Sequence, residues 1–354
     1  MRNVLYKINS WGLGHATRNL PVIRRLIDGN YHVTLASTGR ALELLRTELG
    51  DRCQYLDVPD YYTKWGRDYH WIFLMPKAPV EIWRLLRAID AERQRINQII
   101  ILGNYDLIVS DTCYGAWNSE VPSYLICHAL KLPWFWQDRY TQRFNEWLAS
   151  LFINRFDLIL VPDYEGSPLS GCLSKDFRFI DGKKVKYIGI LSAFKKLDTE
   201  QDIDYFISIS GAEPQRSSFE KKVLEQVREL EGKVVIALGK PEGGEGGFER
   251  WGHVRVVNYM KSPERDRVMN SAKMVISRPG YSTLMDLIEL GKDKVLFVPT
   301  PNHPEQEYLA RYHAESGNIY SVSQKRLNLA RDVKRARQYP GLIHRDFSTC
   351  RSVN

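Results

Sequence analysis

The sequence predicts an α/β protein built from two Rossmann-like, doubly wound domains that face each other across a cleft. Three observations carry that expectation. Short apolar runs alternate with longer helical patterns, which is the signature of a parallel sheet covered on both faces. The alternation stops at a polar stretch and then restarts. The chain has 354 residues, 44% of them hydrophobic, enough for two cores, since single cores tend to divide beyond about 250–300 residues.

In the first half, strand patterns fall at Asn3–Ile8, Val33–Ser37, Gln54–Val58, Leu107–Ser110, Ser123–Cys127 and Leu158–Val161, with helical patterns such as Leu20–Ile27, Ala41–Leu49 and Val80–Leu102 between them. In the second half, strands are expected at Tyr205–Ser210, Val234–Leu238, Arg255–Val257, Met274–Ser277, Val295–Val298 and Ile319–Val322. The helices between those are Phe219–Leu230, Pro263–Ser271, Ser282–Leu290 and Pro304–Ser316. Leu191–Asp202 is polar without a sustained period. The expected division is therefore a first domain over residues 1–190, a linker over 191–203 and a second domain over 204–354. Ligands of such sheets bind outside the carboxyl ends of the strands.

The formal net charge is +8, which suits anionic partners such as nucleotide phosphates, nucleic acid or an acidic membrane face. The five cysteines are scattered, with no C-x-x-C pair, so neither a zinc site nor a disulfide framework is indicated and a cytoplasmic setting is expected. No apolar run approaches the roughly 20 residues that span a bilayer, and the first strand begins without an apolar leader. The expectation is a soluble or membrane-peripheral protein.

The first strand runs into Asn9-Ser-Trp-Gly12-Leu-Gly14-His15-Ala-Thr-Arg18. Glycines there allow a tight turn and close approach of a ligand, and a helix start favours an anion. Thr17 stands where the last glycine of a dinucleotide fingerprint would be, so that motif is incomplete. His15 reads either as a general base projecting from the turn or as an imidazole that packs it. Asp111 ends the strand after Leu107 and reads either as the carboxylate that orients His15 or as a turn residue capping the next helix. His128 ends another strand and would line the same edge, with Gly14, or be a partly buried ring.

In the second half, Ser210-Gly211 follows the first strand and can turn backbone N–H groups toward a diphosphate, with Arg216 nearby as a cation. Arg278-Pro-Gly280-Tyr-Ser282 precedes a helix that carries Asp286, four residues after Ser282 and on the same face. Hydroxyl and helix amides could hold phosphates while Asp286 accepts from ribose hydroxyls; the competing reading is a solvated carboxylate.

The block from residue 255 to 310 resembles the C-terminal domain of the MurG-type glycosyltransferases that make the peptidoglycan lipid precursor, and of the related galactolipid synthases. Arg278-Pro-Gly280 followed six residues on by Asp286, and Phe297-Val-Pro299 followed by Gln306-Glu307-Tyr308, carry the likeness; Gly14-His15 matches that family's Gly-Gly-His. The resemblance implies the two-domain GT-B fold and a nucleotide-sugar donor, a UDP-sugar. It implies that Gln306 and Glu307 touch the donor sugar, that Tyr259 caps the base, and that the Met260 backbone reads it. The chain departs from the family in carrying Gln-Glu rather than Gln-Gln, in lacking the Arg expected after Tyr187-Ile-Gly189, where Lys195 or Lys196 could serve, and in a less Gly-rich loop after Ser210.

The implied reaction is direct displacement with inversion. His15 takes the proton of a hydroxyl acceptor, and amides with a cation such as Lys195, Arg216 or Arg278 hold the leaving diphosphate, so no metal or other cofactor is expected. Retaining enzymes of this fold carry a pair of acids whose first place falls here at Arg278. Asp202-Ile-Asp204 imitates a metal-binding pair but lies in the linker, where charged runs are usually solvated. A sugar-nucleotide epimerase or hydrolase on the same scaffold is the nearest alternative. Aromatic and basic residues interleave over Tyr61–Leu74, including Trp65 and Arg67, and continue in Trp83, Arg84 and Arg87. Such a mixture binds single-stranded nucleic acid or an anionic membrane surface. The resemblance favours the membrane and a lipid-linked acceptor contacted by Trp65 and Arg67.

Overall fold

The computed structural model describes residues 2–59, 78–131, 139–166, 169–211, 213–240 and 248–342. Trp65, Arg67 and most of the glycine-rich stretch 239–247 lie outside them. The chain divides into two compact units between Leu191 and Ser192.

The first unit is a seven-stranded parallel sheet of β1 (Asn3–Ile8), β2 (His32–Ser37), β3 (Gln54–Asp57), β4 (Leu107–Asp111), β5 (Ser123–Ile126), β6 (Leu158–Val161) and β7 (Val185–Tyr187), in the order β3-β2-β1-β4-β5-β6-β7. Helices α1 (Leu13–Asp28), α2 (Gly39–Leu49), α3 (Ala78–Gly103) and α4 (Arg139–Ile153) connect the strands. Parallel strands covered on both faces read as continuous apolar runs; five of the six residues of β1 are buried. Leu85 and Ile89 of α3 share a core with Leu125, Ile159, Ala149 and Ile153. The strand order reverses between β1 and β4, and their last residues, Ile8 and Asp111, are partners in register. That reversal is where such sheets bind ligands.

Helix α1 begins at Leu13, not at Leu20, where apolar periodicity first becomes regular. Gly12 precedes it at φ 102°, a conformation open to glycine at little cost. The early start places Gly14 and His15 in the first helical turn.

The second unit is also seven-stranded, in the order β10-β11-β9-β8-β12-β13-β14. Its strands are β8 (Ile203–Ser208), β9 (Val234–Ala237), β10 (Phe248–Trp251), β11 (Val254–Val257), β12 (Ala272–Ser277), β13 (Val295–Phe297) and β14 (Tyr320–Ser321). All pair in parallel except β10 with β11. The edge strand β10 was not expected; its hairpin turns at Gly252, φ 59°, where a lone Gly gave only a weak turn signal. Helices α5 (Gln215–Gln226), α6 (Ser262–Ser271), α7 (Tyr281–Leu290), α8 (Pro304–Glu315) and α9 (Leu329–Ala336) complete it. The core runs through Ile207, Phe219, Ile236, Ile276, Leu296 and Val333. Here the order reverses between β8 and β12, so the loops carrying Ser210-Gly211 and Arg278–Gly280 share one edge.

A buried His–Asp–Arg cluster as candidate active site

The Asp111 side chain is fully buried at the end of β4 and accepts from three neighbours on α1. Its Oδ1 lies 2.7 Å from His15 Nδ1 and accepts from Arg18 Nη2 at 2.5 Å. Its Oδ2 accepts from Arg18 Nε at 2.7 Å and from the Asn19 amide. His15, Arg18 and Asn19 are three and four residues apart and therefore share a helix face. Tyr6 on β1 donates its hydroxyl to Asn19 Oδ1 at 2.6 Å. Thr112 adopts φ 53° directly after Asp111, a strained conformation for a β-branched residue, and its hydroxyl lies 3.2 Å from Asp111 Oδ1.

Burial alone would raise the Asp111 carboxyl. The Arg18 guanidinium and the His15 contact outweigh it and hold the group well below the usual carboxylate range. An ionised carboxylate only accepts, so His15 Nδ1 carries a hydrogen, and in the neutral form of the ring Nε2 is the nitrogen with the lone pair. His15 keeps 19% of its side chain exposed, against none for Asp111. This is the arrangement of a general base held in one tautomer.

His128 adjoins the same cluster. It is 4% exposed, and its Nδ1 lies 3.1 Å from Arg18 Nη1. A guanidinium has no acceptor, so His128 accepts there. It sits among the buried groups around Asp111, as the second of the two readings of this position had it.

In the second unit the expected donor residues separate into two groups. Gly211 stands at φ 115°, and a Cβ there would lie 3.6 Å from the Thr300 hydroxyl. Thr300 is 6% exposed and its hydroxyl has no partner among the described residues. Gly280 starts α7 without a side-chain cap, so the helix dipole and first-turn amides face the edge that Ser210 also occupies; Ser282 is half-buried in that turn. These groups fit an anion. The buried Gln306 fixes this edge by accepting from the Thr300 N–H at 2.9 Å, and the exposed Glu307 accepts from the Asn302 N–H at 3.0 Å. His303, which sequence reasoning had not singled out, caps α8 by accepting from the Gln306 N–H; burial lowers its pKa.

Other expected donor residues turn inward. Arg216 is buried between Glu213 and Glu220, 2.6 Å from each, so its charge is already matched. Arg278 is 1% exposed and donates to the carbonyls of Val298, Pro299 and Gln215 and to Gln324 Oε1. It stacks over Phe219 at 4.1 Å. Among the described residues no acid bonds to it, and burial lowers its pKa to about 9. Arg278 leaves a positive charge with no acidic partner, among the described residues, beneath this edge. The Tyr259 ring and the Met260 side chain are buried, at 9% and 3% exposed. Lys195 and Lys196 are exposed.

Asp286 accepts from the Ser192 hydroxyl at 2.6 Å. Burial pushes Asp286 up to about 7, against the opposing Ser192 bond and Arg265. Asp202 pairs with Lys233, and Asp204 lies 2.9 Å from Lys273. Among the described residues, no group of three His, Cys, Asp or Glu side chains is placed to hold a metal ion, and no helix is long and apolar enough to cross a membrane.

Residues 211–340 match the glycosyltransferase family 28 C-terminal domain. No curated protein matches the chain in sequence. Solved structures share its fold. The glycosyltransferase of kitacinnamycin aligns with TM-score 0.62 at 15% identity, over 96% of this chain and 91% of that one. Spinosyn rhamnosyltransferase SpnG complexed with thymidine diphosphate aligns with TM-score 0.62 at 12% identity, over 96% and 92%. A putative UDP-N-acetylglucosamine 2-epimerase from Listeria monocytogenes aligns with TM-score 0.56 at 13% identity, over 95% and 88%. The fold of these neighbours is GT-B, and residues 211–340 carry the match to a glycosyltransferase domain.

Proposed function

We propose that this GT-B chain transfers a hexosyl group, with inversion and without a metal, from a nucleotide-sugar to a hydroxyl acceptor. The observation that carries the reading is the 2.7 Å contact of His15 Nδ1 with a buried, ionised Asp111, which leaves Nε2 as base. Nε2 takes the acceptor hydroxyl proton as its oxygen bonds to the anomeric carbon. The bond from that carbon to the phosphate oxygen breaks, and the nucleoside diphosphate leaves with the electron pair. The amides around Gly211 and the start of α7, above the unmatched charge of Arg278, favour the departing anion, the electrostatic part that a metal plays elsewhere. The resemblance over residues 255–310 supports UDP as the nucleotide, and the neighbour crystallised with thymidine diphosphate supports a nucleoside diphosphate.

Exposed apolar side chains support an amphipathic, lipid-linked acceptor and a peripheral place on the cytoplasmic face of an anionic membrane. Val80, Trp83 and Leu86 are exposed on α3 at three-residue spacing, and Phe144, Trp147 and Leu151 are exposed on α4. Arg87 stacks over Trp83 at 4.9 Å. Rings with adjacent cations suit the headgroup level of a membrane.

Calorimetry in EDTA, titrating UDP, GDP and dTDP and their common sugars, tests the donor reading. Tight binding of one nucleotide without metal is expected; no binding of any would overturn it. The epimerase neighbour motivates a second reading, in which the donor is consumed without any acceptor.

A further inference from the structure

We propose that Arg18 is a positioning residue of the active site: it fixes both oxygens of Asp111 and neutralises them, so that the carboxylate orients His15 without drawing a second proton onto the imidazole. This rests on the reading of His15 as base, but it concerns a network that can be measured without turnover.

The geometry separates Arg18 from an ordinary core ion pair. Arg18 is 2% exposed and bridges three elements: its own helix, the end of β4 through both oxygens of Asp111, and His128 after β5. Bidentate pairing fixes the plane of a carboxylate as well as its position. The Oδ1 that Arg18 holds is the oxygen bonded to His15, so rotation of the guanidinium would rotate the partner of the base.

The electrostatic part follows from the groups that face Asp111. Tyr6 on β1 and Cys127 after β5 are buried, and burial pushes the phenol well up and the thiol to about 11, so both are neutral. His128 Nδ1 faces the Arg18 guanidinium at 3.1 Å, not Asp111. Asn19 and Thr112 supply uncharged contacts. Arg18 is thus the permanent cation matched to Asp111 among the described residues. Without it, the buried carboxylate would satisfy its charge through the imidazole bonded to it, by holding His15 as imidazolium. A protonated His15 has no lone pair at Nε2 and cannot act as base.

The test is imidazole titration by two-dimensional 15N–1H NMR on 15N-histidine-labelled protein, comparing wild type, Arg18→Met and Arg18→Lys, with His15→Gln to assign the signal. In wild type at high pH, His15 should show the Nδ1–H tautomer. In R18M its protonation midpoint should rise by about 1–3 pH units, the usual effect of removing one charge beside a titrating pair. R18K, which keeps the charge but loses the fork, should fall between. Equal midpoints in wild type and R18M would overturn the proposal. Should R18M fail to fold, an R18K midpoint and tautomer equal to the wild type's would overturn the claim that the bidentate fork matters. In the active enzyme, the acid limb of the kcat/KM profile should move up with the NMR midpoint. A midpoint shift without change in kcat would refute His15 as the base and leave the network intact.

Discussion

The His15 Nδ1 atom lies 2.7 Å from Asp111 Oδ1, across 96 residues of sequence. Asp111→Asn should leave the fold recognisable but lower kcat by about 10²–10⁴-fold, because the amide no longer fixes the Nδ1–H tautomer of the base. It also leaves Arg18 buried beside a neutral group, so a stability loss of about 3–5 kcal/mol is expected. Steady-state kinetics and urea unfolding check the two parts separately. Unchanged kcat would sever the carboxylate from the chemistry.

Asp286 is raised from 3.8 to about 7 by burial, so the folded protein favours its protonated form. Its stabilising contribution is full below the ordinary carboxylate value and is lost as pH rises through about 7. Asp286→Asn has no such loss. Its melting temperature should gain on the wild type between pH 5 and pH 8. A constant offset across that range, seen by scanning fluorimetry, would show that Asp286 is not perturbed.

Arg278 is buried without an acidic partner among the described residues and holds the carbonyls of Val298 and Pro299. Arg278→Met should weaken UDP binding by about tenfold or more, since a charge near a partly desolvated phosphate contributes a few kcal/mol at most. Arg278→Lys should recover part of that loss. Calorimetry showing equal affinity in all three proteins would confine Arg278 to holding loops.

The exposed rings of Trp83 and Trp147 lead to a flotation test. Wild type should float with vesicles containing anionic lipid at low salt and release as salt rises. The double change Trp83→Ser and Trp147→Ser should reduce flotation severalfold without altering the melting temperature. No flotation of the wild type would remove the membrane from the account.

Much of the scaffold was legible because a parallel sheet covered on both faces writes each strand as an apolar run. The contact of Asp111 with His15 was legible for a related reason: both residues follow adjacent parallel strands at the same end of the sheet. Arg18 was not. Apolar periodicity alone put the start of α1 at Leu20, which hid the three-residue spacing that aligns Arg18 with His15. The inward turn of Arg216 had a local signal, since Glu213 and Glu220 stand three residues before it and four after it. That of Arg278 was hidden differently: its partner Gln324 comes from the loop after β14, 46 residues on. The bond of Ser192 to Asp286 is another such case, 94 residues apart in sequence.

Whether His15 Nε2 is the base is decided by kcat for sugar transfer in His15→Ala, with donor affinity measured in parallel by calorimetry in EDTA. The kcat should fall by about 10²–10⁴-fold while the nucleotide still binds as it does to the wild type. Turnover at the wild-type rate with donor binding intact would contradict it.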